Sequence, residues 1–304
     1  MLVGFTITNP SGETFEFPLA DPERTGVCVN DVTGLGPPTT TFVFQTIYVN
    51  DGAMFNNARS EKRNIVFTFE MVGRDVPGSR RRVYRAFPIK REVTIKIETR
   101  HRVYEIKGYV ESVTPAIFSQ NETVQVSVLC PQPFLTIPGS WERGQAFEDV
   151  SGGFEFPFSN PRDETTLEFG TLSKTSSMLF DYSGEVVCGI RLRLPLMGQP
   201  GMVSVFNHTS GTMLQINMDQ FQASTGIAPG AGMVLEIDSR PETFGARVTT
   251  TDKTINATGF VTVASAWPKL QPGANQFEVY TSKSNTVSVF TDVTLYHSPL
   301  FMGV

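Results

Sequence analysis

The chain has 304 residues, more than one hydrophobic core usually fills, so two domains are expected. Its 24 Phe, 26 Gly and 20 Pro, beside only 2 Trp, favour many short strands with frequent turns over long helices. The formal net charge is −5, and the first 133 residues carry 15 basic and 14 acidic side chains, which argues against bulk binding of nucleic acid.

The three cysteines, Cys28, Cys130 and Cys188, are widely spaced and form no CxxC motif. Neither a disulfide framework nor a zinc site is therefore predicted, and buried free thiols are expected. The N-terminus lacks a basic region followed by a long apolar run, and no segment approaches the ~20 apolar residues of a membrane span. We expect a soluble protein without a classical secretion signal and without membrane contact.

Period-two alternation of apolar residues predicts the strands of the first half of the chain. They run over Phe5–Thr8, Thr14–Phe17, Thr41–Val49, Asn64–Met71, Val93–Glu98, Tyr104–Val110 and Glu122–Cys130. One short helix is predicted between the fourth and fifth strands, with Asp75 as its N-cap and Pro88 as its stop. The stretch Asn50–Lys62 has no periodicity of its own and is predicted to be a polar loop that reaches toward a partner.

Prolines at Pro131, Pro133 and Pro138 mark the exit from the first domain, so we predict domains at residues 1–133 and 134–304. The second domain shows no convincing helix and about nine strands at the spacing of a β-sandwich. These strands are Phe154–Phe158, Val186–Leu194, Met202–Phe206, Met213–Met218, Met233–Ile237, Ala246–Thr250, Gly259–Val263, Gln276–Tyr280 and Thr286–Tyr296. The predicted fold class is mostly β: a barrel or sandwich with one short helix, followed by a second sandwich.

Residue patterns that indicate catalysis are absent from the sequence. His101, His208 and His297 lie far apart in or beside turns, and no nucleophile elbow, zinc-protease or phosphate-loop motif occurs in a usable setting. Glu236 and Asp238 have the spacing of a glycosidase pair, but acidic residues that alternate with apolar ones are typical of the solvent face of a sheet. We therefore predict no enzyme, no cofactor and no metal.

Basic residues are concentrated between Arg59 and Lys107, where 14 basic and 6 acidic side chains occur. Three interpretations remain open: a solvated helix face, a contact between subunits, and a contact with phosphate. Arginine suits a subunit contact because its guanidinium pairs with a carboxylate through two hydrogen bonds. The candidate interface residues are Arg59, Lys62, Arg63, Arg80, Arg81, Arg82 and Arg85.

Several motifs follow one another in a recognisable order. They are the turn at Asn9–Gly12, the break at Val32–Gly36, the dipeptide Asp51-Gly52, the strand Arg63–Phe69, the helix Arg82–Phe87, and the segments Ile106–Glu111 and Gln125–Phe134. The second half adds Asn207–Ile216, Met233–Arg240 and Trp267–Phe277. In this order they resemble the distal tail (Dit) proteins of long-tailed siphophages and related prophages, in the short form of that family. The resemblance covers nearly the whole chain.

This resemblance implies a structural virion component without enzymatic activity. It implies a homohexameric ring, formed by the first domain at the end of the tail tube, through which DNA passes, and a galectin-like second domain that points outward. The implied partners are the tail tube protein, the tail-tip protein and receptor-binding proteins, so the ring acts as a baseplate hub in host adsorption. The implied location is the tail tip, after assembly in the host cytoplasm.

A carbohydrate-binding module is the alternative function. A β-sandwich with exposed Trp141, Trp267 and Tyr182 could stack sugar rings of the host cell wall. Trp267 is followed directly by Pro268, which favours a packing role for this side chain.

Overall fold

A computed structural model of the chain describes residues 1–46, 51–72, 74–119, 121–152, 170–174, 177–283, 289, 290 and 292–304. The chain divides into two compact units. Unit 1 consists of Met1–Pro138 together with Leu300–Val304, and unit 2 consists of Gly139–Pro299. The sequence placed the boundary at residue 133 and assigned the last five residues to the second domain. Across the described ranges, no helix has the length and apolar character needed to cross a membrane.

Unit 1 is built from strands and two helices. The strands are β1 (Leu2–Thr8), β2 (Thr14–Pro18), β3 (Val27–Thr33), β4 (Thr40–Thr46), β5 (Ala53–Ser60), β6 (Arg63–Met71), β7 (Glu92–Thr99), β8 (Val103–Ala116) and β9 (Thr123–Cys130). The helices are α1 (Pro22–Thr25) and α2 (Val76–Ala86).

Seven of these strands form one antiparallel sheet in the order β2-β1-β7-β8-β9-β6-β3. Because successive side chains of a strand point to opposite faces, the predicted alternation places one apolar face on a common core. That core contains a ring cluster in which Phe67 lies 5.2 Å from Phe5, 5.5 Å from Phe69 and 5.6 Å from Phe87, between ring centroids. In the described structure β2 and β3 stand at the two ends of the strand order and do not pair with each other. The sheet therefore does not close into the barrel that was one of the two predicted alternatives.

Helix α2 covers this core and begins as the sequence predicts. The side chain of Asp75 accepts a hydrogen bond from the Gly78 amide, which satisfies one of the amides left unpaired at a helix N-terminus. Val83 and Ala86 are buried on the inner side of the helix. The four-residue helix α1 was not predicted from periodicity, because a single turn is too short to show it.

The predicted polar loop Asn50–Lys62 is wrong in its described part, since Ala53–Ser60 forms strand β5. Strand β5 pairs with β4, and both strands are exposed along their whole length. A strand with solvent on both faces is under no pressure to alternate, so its sequence carries no period-two signal. Residues 47–49 of the predicted strand Thr41–Val49 and residue 50 of the predicted loop lie outside the described residues.

In its described ranges unit 2 has more and shorter strands, and its helix α3 spans Met218–Thr225. Its strands are β10 (Gly144–Ala146), β11 (Glu148–Gly152), β12 (Gly170–Lys174), β13 (Ser177–Tyr182), β14 (Cys188–Gly189), β15 (Arg191–Leu196), β16 (Met202–Asn207), β17 (Thr212–Asn217), β18 (Met233–Asp238), β19 (Gly245–Thr249), β20 (Thr254–Asn256), β21 (Lys269–Leu270), β22 (Gly273–Thr281) and β23 (Thr294–Tyr296).

Two antiparallel sheets dominate unit 2. One has six strands in the order β10-β23-β15-β18-β19-β20, and the other has four in the order β13-β22-β16-β17. Each sheet buries an alternating set of side chains, such as Leu192 and Leu194 in the first and Val203 and Val205 in the second. Two sheets with one buried face each are the arrangement of a β-sandwich, and the predicted mostly-β fold class is confirmed.

Three expectations for unit 2 were wrong. Helix α3 was missed, although Asn217 caps it through the Gln220 amide and Gly226 ends it in the left-handed conformation. The predicted strand Gly259–Val263 contains instead the end of a 3₁₀ turn, Thr258–Phe260. The strands β10, β11, β12, β13, β20 and β21 were not predicted. The predicted strand Phe154–Phe158 and part of Thr286–Tyr296 lie outside the described residues.

Replacing Phe67 with alanine tests the position of the unit 1 core. Phe67 is fully buried and contacts three other phenyl rings, so the Phe67→Ala variant is expected to lose about 3–5 kcal/mol in free energy of unfolding, measured by urea denaturation. Phe118→Ala is the matched control, because Phe118 is fully exposed and should change this free energy by less than about 0.5 kcal/mol. Equal losses in the two variants would contradict the described core.

Candidate assembly surface

Strands β4 and β5 form a two-stranded ribbon, which we call the arm. All 7 residues of β4 and all 8 residues of β5 are exposed. In the described part of the chain each of the two strands pairs only with the other. A hairpin without a third strand or a packing surface is only marginally stable in water. The arm therefore lacks, within its own subunit, the burial that normally stabilises a β-ribbon.

One face of the arm carries three phenylalanines in mutual contact. Their ring centroids are 6.0 Å apart for Phe42 and Phe44, 6.4 Å for Phe42 and Phe55, and 6.2 Å for Phe44 and Phe55. Each side chain is between 55% and 59% exposed. Grouped, exposed aromatic side chains on a soluble domain mark an interaction surface more often than single ones do. We call these three residues the aromatic triad.

A β-bulge creates the aromatic triad. The register pairs Val43 with Asn57 and then Phe44 with Phe55, so that Asn56 is the extra residue. In a regular register Phe44 would pair with Asn56, and Phe55 would lie on the same face as Asn57. Phe55 would then point away from Phe42 and Phe44. The bulge turns Phe55 onto their side and leaves Val43 and Met54 on the opposite face.

The base of the arm is fixed by a buried arginine. Arg63 is only 3% exposed and donates hydrogen bonds to three main-chain carbonyls: Pro133 O at 2.6 Å, Gly34 O at 2.9 Å and Met302 O at 2.6 Å. Burial lowers the pKa of Arg63, because leaving water disfavours its charged form. Gly34 has φ of 83°, and a Cβ there would collide with the main-chain oxygen of Asn64.

This position directs the Arg63 guanidinium into unit 1, where three of its N–H groups bond to main-chain carbonyls, so it is not presented on the surface of the subunit. The sequence contained the signal: Arg63 precedes Ile65, Phe67 and Phe69 in steps of two, so the alternation itself places it on the core face. Nearby Cys130 is also buried, which raises its pKa to about 12 and keeps the thiol neutral.

Three of the four arginines on α2 hold the helix to its own subunit. Arg80 forms an ion pair with Glu122 at 2.5 Å, and Arg85 forms one with Glu13 at 2.5 Å. The guanidinium groups of Arg82 and Arg85 both lie 5.7 Å from the ring centroid of Phe15. The Nε of Arg82 is buried without a hydrogen-bond partner in the described structure.

The remaining candidates, Arg59, Lys62 and Arg81, are exposed. Arg59 pairs with Glu61 at 3.0 Å, and the pKa of Glu61 is lowered by hydrogen bonds from Thr41 and then from Arg59. Exposed pairs of this kind contribute little to stability and exchange readily for other partners. Lys62 and Arg81 have no ion pair among the described residues. Two of these three cations, Arg59 and Lys62, therefore flank the base of the arm.

Candidate catalytic residues do not converge. No group of three or more potential metal-ligating side chains forms within the described ranges. His208 pairs with Glu278 at 2.8 Å, whereas His297 packs against Phe180. The expected solvent position of Asp238 is wrong, because its carboxylate is buried and bonded to Arg240.

No model of a known protein family matches the sequence, and no curated protein matches it. Solved structures do match in fold, and these include chains from hub and baseplate assemblies of phages. One is the Dit protein of phage SPP1, described as a paradigm of the hub adsorption apparatus in phages that infect Gram-positive bacteria.

The similarity to SPP1 Dit covers 98% of this chain and 99% of that chain, with a TM-score of 0.59 and 13% sequence identity. A chain of the phage P2 baseplate in its activated conformation with Ca gives a TM-score of 0.49, 12% identity and 98% coverage of both chains. The match to SPP1 Dit shows that the chain has the fold of a Dit protein. The resemblance inferred from the order of motifs is confirmed at the level of the fold.

Arg63→Ala tests whether one guanidinium fixes the base of the arm. Its removal deletes three hydrogen bonds made by a charged donor, each worth roughly 1.5–3 kcal/mol, so the free energy of unfolding should fall by about 3 kcal/mol or more. Arg59→Ala is the matched control and should cost less than about 1 kcal/mol, because Arg59 is exposed. If urea denaturation gave both variants the same small loss, water would be able to replace the guanidinium.

Proposed function

We propose that this protein is a structural component of a phage tail tip, in which copies of unit 1 assemble into a ring. The observation that carries the proposal is the arm, whose aromatic triad finds no burial inside its own subunit. The Dit fold of the whole chain supports the same role. No catalytic step is part of this function.

In this ring the arm of each copy packs on unit 1 of the next copy. The arm and the surface that receives it are different patches, so the contact is head-to-tail, and such contacts close into a ring when the rotation between copies allows it. The seven-stranded sheet ends in β2 and β3, each paired on one side only in the described structure. Such edges accept an added strand from a neighbour.

Burial of the aromatic triad would supply the affinity of this contact. Aromatic side chains dominate the energetics of protein interfaces, whereas exposed charges mainly set orientation and association rate. Arg59, Lys62 and Arg81 are the candidate residues at the rim of the interface, and Arg80, Arg82 and Arg85 position α2 within the subunit. Arg63 supports the contact indirectly, by fixing the base of the arm.

The finer features of the proposal follow the resemblance to the Dit family. The ring is a hexamer at the end of the tail tube, DNA passes through it, and it binds the tube protein on one side and the tail-tip protein on the other. Unit 2 is a galectin-like sandwich that points outward, and receptor-binding proteins attach to the hub during adsorption. The protein assembles in the host cytoplasm and resides in the virion of a siphovirus.

The oligomeric state of the full chain tests the ring. Native mass spectrometry at micromolar concentration is expected to give a closed ring at a multiple of the 33.5 kDa subunit, six copies in the hexamer. Negative-stain images should show a central hole. A sample that stays monomeric at micromolar concentration would contradict the proposed ring.

A double substitution, Phe44→Asp with Phe55→Asp, tests the arm separately. Two carboxylates cannot be buried in an apolar contact without a large desolvation cost, so the variant is expected to remain monomeric. Its free energy of unfolding should stay within about 1 kcal/mol of the parent protein, because both side chains are exposed in the subunit. Val263→Asp, at a fully exposed position in unit 2, is the control and should keep the ring. Rings formed by the double variant would exclude the arm as the contact while leaving the ring itself in place.

A further inference from the structure

Unit 2 contains a cluster of aromatic residues that the proposed ring does not use. The 2 tryptophans of the chain are far apart in sequence, yet both contact the connection between β18 and β19, residues 239–244. The guanidinium of Arg240 lies over Trp141, 4.5 Å from its ring centroid. Phe244 packs against Trp267 with the ring centroids 4.2 Å apart and an angle of 49° between the planes. We call these four residues the aromatic platform.

A buried carboxylate holds the connection in place. Asp238 accepts hydrogen bonds from the Arg240 amide at 3.0 Å, from Arg240 Nε at 2.9 Å and from Thr243 Oγ1 at 2.7 Å. Burial alone would raise the pKa of Asp238, but the hydrogen bonds from Arg240 and Thr243 outweigh it and keep the pKa below its usual value. The carboxylate is therefore charged at neutral pH and fixes both halves of the connection.

A second set of buried hydrogen bonds, made by Ser239, holds the connection that carries the platform. The hydroxyl of Ser239 donates to Pro268 O at 2.5 Å and accepts from the Ile190 amide at 2.8 Å, which ties the connection to the residue after Trp267. Gly189 allows this approach, since a Cβ there would lie 2.7 Å from Ser239 O and 2.9 Å from Arg240 Cα. Polar networks with satisfied partners specify one geometry, so the platform is preorganised.

The upper side of the platform is open to solvent. Phe244 is 51% exposed, and the two tryptophans are half-buried. Glu242 is exposed in the same connection and is close enough to Arg240 to raise the pKa of that guanidinium further, after the larger effect of the bond from Asp238. Lys269 is exposed two residues after Trp267. Aromatic faces are thus bordered by groups that donate and accept hydrogen bonds.

The size of the platform separates a small ligand from a protein partner. A stable protein interface buries about 800 Å² on each side. An aromatic side chain offers at most roughly 150–250 Å², and two of the three rings are already half-covered, so the apolar surface here is far smaller. It matches one or two sugar rings, whose apolar C–H faces stack on aromatic rings while their hydroxyls bond to flanking polar groups.

We propose that the aromatic platform is a saccharide-binding site. One sugar ring stacks on Phe244 and the adjoining edge of Trp267, and Arg240 and Glu242 bond to its hydroxyl groups. Charges of both signs flank the rings, which suits a neutral sugar. Tyr182, which the sequence suggested as a stacking residue, does not take part, because it is buried and its hydroxyl donates to Val186 O at 2.9 Å. The site does not depend on the arm or on ring formation.

Intrinsic fluorescence reports on this site directly, because both tryptophans of the protein belong to it. The full chain is titrated with the methyl glycosides of glucose, galactose, rhamnose and N-acetylglucosamine. At least one is expected to change the emission saturably, and saturation-transfer NMR should detect the same sugar. Phe244→Ala is expected to weaken binding about tenfold, as the loss of one stacking contact implies. Phe118→Ala removes the same side chain from unit 1 and should leave binding unchanged.

Four results would overturn the proposal. The first is that no sugar of the panel changes the emission or gives an NMR signal. The second is that a sugar binds with equal affinity to the parent protein and to a Phe244→Ala variant whose thermal unfolding is unchanged. The third is that Phe118→Ala weakens binding as much as Phe244→Ala does. The fourth is that a purified tail-tip protein changes the emission while every sugar fails, which would identify the platform as a protein-docking surface.

Discussion

A single buried cation organises unit 1. Arg63 stands at the start of β6, immediately after the arm, and its guanidinium binds the main chain of three separate segments. These segments contain Gly34, which precedes β4, Pro133, which follows β9, and Met302, which lies in the last part of unit 1. A buried charge without a carboxylate partner costs free energy unless main-chain dipoles replace its water, which is what the three carbonyls do. The geometry of these segments is therefore coupled to one side chain.

The arm contrasts with this anchored base. The seven-stranded sheet buries one face in a core of phenyl rings, whereas the arm continues from the same fold with solvent on both faces. Its triad depends on one bulge, since a regular register would place Phe55 on the other face. An anchored base that carries an exposed apolar ribbon is a physical arrangement suited to assembly.

Unit 2 also contains a buried charged group that fixes a segment at the surface. A charged group, Asp238, is removed from solvent and bonded to Arg240 and Thr243, and the exposed Phe244 belongs to the connection that it holds. In both units a buried charged group is satisfied by hydrogen-bond partners within its own unit and fixes a segment that carries an exposed ring. Conformational entropy lost on binding is small for side chains that are already held in place.

The sequence alone determined the mostly-β class, the apolar face of β6, the capped helix α2 and the absence of any catalytic motif, because alternation and capping are local properties read within a few residues. It also indicated a Dit-like order of motifs, which the fold comparison bears out. Only the tertiary structure decided that Arg63 bonds to carbonyls of three separate segments, that Asp238 is buried, that Arg80 and Arg85 are paired inside the subunit, and that both tryptophans contact one connection. Each of these depends on residues brought together from distant parts of the chain. Strand β4 of the arm was predicted, but β5 was hidden from sequence patterning, since a strand exposed on both faces has no core to impose a period.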